Sequence, residues 1–193
     1  MACGEAVYSR SRQRKLKNKD FTIICSNCIG GIIYNRLGMK FLSPTINMWM
    51  HQKDCIRLMK NLREYMDCDL EFIDSKYDYP VARLRDVVLY FNHSKSEEEA
   101  RNDWNRRKIR INYDNLYLIV YDREDIDLDD LNSLKDLKCR NIAVLSDKER
   151  PELPYLYRVV PEDRPLGEQF LDKDTFGIRT FEKYFDYVKW LNE

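Results

Sequence analysis

Apolar residues follow two patterns along this chain, short runs rich in β-formers and wider stripes at helical spacing, and these patterns predict the elements. Residues 20–28 (DFTIICSNC) put Phe21, Ile23 and Ile24 in a strand-length run that halts at Ser26 and Asn27. A helix is expected from about 29 to 37, ended by Gly38, because glycine adopts the left-handed backbone that closes helices without strain. Cys55, Met59, Leu62 and Met66 stand at i, i+4, i+7 and i+11, which makes one face of a helix over about 51–66 apolar. Strands are expected at 70–73, 86–91 (DVVLYF), 116–121, 142–145 and 156–160. Between them, Ser96 to Glu99 has the form of a capping box opening a helix to about 110, with Ala100, Trp104 and Ile111 inward. Further helices are expected at about 127–137 and 180–192.

The order strand, helix, strand, helix, strand implies an α/β fold with three layers, α/β/α, around one mainly parallel or mixed sheet of at least five strands. Prolines at 151, 154, 161 and 165 punctuate the chain after Asp147, but neither a linker nor a repeat separates that region. The expected organisation is a basic tail over residues 1–19, solvated and frayed, and a single domain over 20–193.

Composition narrows the functional classes. Lys plus Arg and Asp plus Glu balance at 33 each, so no overall charge draws the chain to nucleic acid. The basic run Arg10, Arg12, Arg14, Lys15, Lys17 and Lys19 is the local exception, suited to anionic lipid head groups or an acidic partner in a biosynthetic complex. Apolar runs fall short of the roughly 20 residues that cross a bilayer. The six cysteines are irregularly spaced and no signal-peptide pattern precedes them, so unpaired thiols and a cytoplasmic location are expected.

In parallel sheets ligands bind beyond the carboxyl ends of the strands, which directs attention to the residues following each one. Cys28 falls at a strand-to-helix turn, where the helix dipole would lower a thiol pKa and suit a nucleophile. Asn27, Gly30 and Gly31 would let a substrate approach the backbone and hold an oxyanion or phosphate on N–H groups. His93 would be the base for Cys28; the bland alternative is that Cys28 is a small buried hydrophobe. Asp122, Arg123, Ser146 and Asp147 occupy equivalent places after later strands. Cys25 and Cys28 also spell C-x-x-C, but the helix starts after the second cysteine, a poor match to a redox pair; no further ligands at metal-binding spacing accompany them, so neither metal nor cofactor is expected. Arg106, Arg107 and Arg110 crowd a helix end, where they could hold phosphate bidentately or simply complement the helix dipole and pair with acidic residues.

The segments FTIICSNCIGGIIYNRLG, SPTINMWM and DVVLYFNHSKSEEEARNDWNRRKIRINYDNL resemble a bacterial family of domains of unknown function, DUF1919, often described as exopolysaccharide or capsule biosynthesis proteins. The family's S-N-N-C-x-G-G block falls on Cys25, Ser26, Asn27, Cys28, Gly30 and Gly31, with Cys25 in place of serine and Ser26 in place of the first asparagine. Its H-Y-x-S pattern falls on His93, with Ser94 where an aromatic stands. The resemblance implies a role in surface-polysaccharide assembly; taken with the residues above, the expectation is a transferase acting on an activated sugar or acyl-sugar through Cys28 and His93. The alternatives are a non-catalytic module binding a sugar nucleotide or a partner, and a scaffold of the assembly complex.

Overall fold

The computed structural model describes residues 2–123, 125–160 and 168–193, with the side chains at 2, 3, 168 and 169 excepted. The first element departs from expectation. Where a frayed tail is predicted, α1 (Ala2–Lys15) is a helix docked on the body of the protein. Glu5, Tyr8 and Arg12 recur at i, i+3 and i+7 and so share one face. Along it Arg12 pairs with Asp186 at 2.6 Å and Glu5 with Arg36 at 2.7 Å. The remaining cations of the run, Arg10, Arg14, Lys15, Lys17 and Lys19, stay exposed.

β1 (Thr22–Cys25) is wholly buried and leads into α2 (Ile29–Arg36). Gly38 ends that helix with φ +63°, and the amides of Gly38 and Met39 return to the carbonyls of Asn35 and Tyr34. The helix expected over 51–66 forms as two, α3 (Gln52–Lys60) and α4 (Leu62–Met66), because the backbone leaves helical geometry at Asn61. Its four face residues are nonetheless all buried.

The largest correction concerns the middle strands. β2 (Glu71–Phe72), β3 (Val81–Leu84) and β4 (Val87–Tyr90) form a separate antiparallel sheet, so the run at 86–91 does not join the parallel one. Leu84 pairs with Val87 across a two-residue turn, Arg85-Asp86, with Arg85 at φ +57°. That turn contains no glycine, which is why the hairpin, and β3 with it, is hidden in the sequence.

α5 (Glu97–Lys108) keeps the serine half of the expected box: Ser96 Oγ accepts from the Glu99 amide at 3.2 Å, while Glu99 Oε2 accepts the Lys95 amide instead of that of Ser96, and Ala100 and Trp104 are buried. β5 (Leu116–Tyr121), α6 (Leu128–Ser133), β6 (Asn141–Ser146) and β7 (Leu156–Arg158) follow, and the closing helix is broken into α7 (Thr180–Tyr184) and α8 (Tyr187–Asn192). Pro161 and Pro165 lie outside the described residues. Among the described residues the main sheet has four parallel strands in the order β1-β5-β6-β7.

Alternation along β5 divides the core in two. Leu118 and Val120 pack with Ile24, Cys55, Trp104 and the small sheet, whereas Tyr117, Ile119 and Tyr121 pack with Ile23, Ile33, Phe185 and Trp190. Both faces of the parallel sheet are therefore covered, as an α/β protein requires. Among the described residues no helix is long and apolar enough to cross a membrane.

Candidate functional site at the carboxyl edge

The turn from β1 into α2 is fixed residue by residue. Ser26 Oγ donates to Gln52 Oε1 at 2.8 Å, and the same oxygen accepts the Tyr121 amide at 2.9 Å, so the buried Gln52 side chain ties the ends of β1 and β5 together. Asn27 Oδ1 accepts the Ile29 amide at 3.0 Å and the Cys25 thiol at 3.3 Å. Cys28, half-buried at the N-cap of α2, presents Sγ 3.3 Å from Nε2 of His93.

His93 reaches this point from the other sheet. Tyr90, at the end of β4, exchanges two backbone hydrogen bonds of 2.9 Å with Trp49, and the next amide, Met50, donates to Ser26 O at 2.9 Å. The hairpin is thereby laced to the end of β1, and the turn after it, closed by Ser94 N–H to Phe91 O, carries the exposed imidazole over Cys28. The two residues that the sequence pairs are brought together, but β4 belongs to the antiparallel sheet rather than the parallel one. Among the described residues no carboxylate contacts His93, so this is a pair rather than a triad.

The electrostatics correct the expectation of an acidified thiol. Burial raises the Cys28 pKa, and the guanidinium of Arg179 only partly opposes it. The start of α2 serves the other cysteine: backbone amides of Asn27, Gly30 and Ser26 face Cys25 sulfur, which is fully buried, and burial still pushes that thiol up to about 11. Both thiols are unpaired, as are Cys55, Cys68 and Cys139.

Five other residues do not occupy the positions expected of them. Gly30 and Gly31 are buried against the loop containing Ile46 rather than open to a ligand; a Cβ on Gly31 would meet Ile46 Cγ2 at 3.2 Å. Arg107 is buried, donating to Ile46 O at 2.9 Å and pairing with Asp103. Arg106 pairs with the same Asp103, and Arg110 donates to Phe41 O at 3.2 Å. The three arginines thus brace the 41–46 loop and their own helix, and they do not join Cys28.

Three features come only from the structure. Tyr121, 1% exposed, lies beside Asn27 and both thiols, and its hydroxyl has no hydrogen-bond partner among the described residues. Arg179, at the N-cap of α7, is the cation nearest in effect to Cys28; nothing in the local sequence GIRTFEK marks it. On the outer side of the small sheet Trp49 and Tyr90 stack with centroids 3.7 Å apart, Tyr77 meets both edge-on, and Tyr79 stacks on Tyr77. Farther along the edge, Asp122 is buried with Arg150 at 2.8 Å, Ser146 Oγ at 2.8 Å and Lys148 at 3.4 Å, a self-satisfied network.

These features define an α/β protein with a thiol–imidazole pair at the carboxyl edge of a parallel sheet, held there by a second, antiparallel sheet. The chain belongs to the family Domain of unknown function (DUF1919), whose model matches residues 3–192. It is also 31% identical over 186 residues to an uncharacterized protein of Haemophilus influenzae, an alignment covering 95% of this chain and 90% of that protein.

Proposed function

We propose that the chain is a transferase of exopolysaccharide or capsule assembly that moves an acyl group, or an activated sugar, through Cys28. The observation that carries the proposal is the 3.3 Å approach of Cys28 Sγ to His93 Nε2. That distance permits proton transfer when His93 carries its own proton on Nδ1. With the thiol neutral at rest, His93 acts as a base within the step: it takes the Sγ proton as sulfur bonds to the acyl carbon. It then returns that proton to the departing group, removes one from the acceptor hydroxyl as the hydroxyl oxygen bonds to the thioester carbon, and delivers it to Sγ as the C–S bond breaks, restoring the thiol. The aromatic surface formed by Trp49, Tyr77 and Tyr90 supports a sugar substrate, since flat ring faces with polar rims suit the apolar face of a pyranose. The exposed cations of α1 support peripheral attachment to an anionic membrane or an assembly complex, with the protein on the cytoplasmic side.

Incubation with p-nitrophenyl acetate, followed by intact-mass measurement and peptide mapping, tests the step. One acetyl group is expected on Cys28, absent in Cys28→Ala and formed at least tenfold more slowly in His93→Ala. Acetylation elsewhere, or at an equal rate without His93, removes the catalytic reading. A non-catalytic module binding a sugar nucleotide is the second reading, favoured by the raised Cys28 pKa and by the absence, among the described residues, of a carboxylate to orient His93.

A further inference from the structure

A cleft of about 500 Å³ runs between α1 and α2, within the range of small-molecule sites. Ser9 of α1, Ile32 and Asn35 of α2, and Lys173 and Arg179 line it. Ile32 stands one helical turn beyond Cys28, so the cleft lies along the same helix whose N-cap carries the thiol.

Its charges do not cancel. Glu5 is shared between Arg36 at 2.7 Å and Lys173 at 3.1 Å, while the buried Glu182 is held by Arg36 at 2.9 Å. Those two cations and two carboxylates balance. Arg179 remains: its guanidinium donates only to the carbonyl of Leu171 and meets no carboxylate among the described residues. The side chains of Ser9 and Asn35 make no hydrogen bond among the described residues either. A planar cation, a hydroxyl and an amide thus face one concave surface with donors to spare, which is the chemistry that recognises a phosphate.

We infer that this cleft binds the phosphate of a phosphorylated or nucleotide-linked substrate, placing the rest of that molecule against Cys28. The inference rests on the proposed transferase for its meaning but not for its binding. The arginines singled out in the sequence, Arg106, Arg107 and Arg110, do not line this cleft.

Calorimetric titration with inorganic pyrophosphate, with malonate as a carboxylate control, tests it on the full chain. Saturable binding of pyrophosphate is expected, weaker by roughly 10- to 100-fold in Arg179→Ala. Arg179→Ala removes the contact to Leu171, so Ser9→Asp, which sets a carboxylate in the cleft from the outer helix, provides the second variant and should abolish binding with the melting temperature unchanged. Malonate binding as tightly as pyrophosphate would overturn the phosphate assignment, and equal binding by wild type and Ser9→Asp would overturn the site. Cys28→Ala should bind pyrophosphate normally. Binding of pyrophosphate together with no acetylation of Cys28 would keep this inference and sink the catalytic one.

Discussion

At the scale of single residues, protonation is governed by burial. Cys28 has its pKa raised by burial with Arg179 as the partial counterweight, so its thiolate should form only above the ordinary value of 9.0. Alkylation of Cys28 by iodoacetamide, mapped by mass spectrometry, should therefore rise with a midpoint above about pH 9; a midpoint below about 8 would show instead a thiolate stabilised by imidazolium. Cys25 and Cys139 are both pushed up to about 11 by burial. A thiol whose folded pKa exceeds its unfolded one contributes stability that is complete below 9.0 and lost as pH rises towards the folded value. Denaturant midpoints should accordingly fall between pH 9 and 11, and Cys25→Ala should flatten that fall. Equal slopes in the two proteins would remove Cys25 as its source.

At the scale of elements, α2 is fixed by what surrounds its first turn and its end. A methyl group on Gly31 would press on the buried Ile46 at 3.2 Å, whereas one on Gly30 would meet its nearest neighbour, Cys25 Cβ, at 3.4 Å, an ordinary contact. Alanine gains up to about 1 kcal/mol over glycine in a helix, and overpacking costs about 1–3 kcal/mol. Gly30→Ala should thus be neutral or stabilising and Gly31→Ala destabilising by about 1 kcal/mol in urea titrations; stabilisation by both would mean that the 43–48 loop yields. At the other end, Arg36 holds Glu182, whose side chain is fully buried. Arg36→Ala should cost about 3–5 kcal/mol because it strands that carboxylate, whereas Glu5→Ala, at a partly exposed pair, should cost under about 1 kcal/mol.

At the scale of the whole molecule, the parallel sheet makes one unit of two cores. Trp104 lies on one side of it and Trp190 on the other, both about 1% exposed, and β5 contributes side chains to each. Truncating either to alanine should cost about 3–5 kcal/mol, and both variants should unfold in a single transition, coincident by fluorescence and circular dichroism. Separate transitions would show that the small antiparallel sheet with its helices is an independent unit. That outcome would bear on the site as well, since Cys28 and His93 come from the two sheets.

What the sequence determined by itself is local. The periodicity of 20–28, 96–110 and 116–121 located β1, α5 and β5, because strand and helix periods depend on nearest neighbours and a capping serine declares itself within four residues. It also singled out Cys28 and His93, through the chemistry of a cysteine at a strand-to-helix turn and the scarcity of histidine. The tertiary structure decided the rest. A turn made by Arg85-Asp86 has no sequence signature, so the hairpin that delivers His93 was illegible. The basic run became a docked helix because Tyr8 and Arg12 found Glu182 and Asp186 more than 170 residues away. The pKa of Cys28, the burial of Gly30, Gly31 and Arg107, and the influence of Arg179 on the thiol depend on which chain segments cover the turn. Desolvation and charge act through space, and a single sequence does not encode those distances in any local pattern.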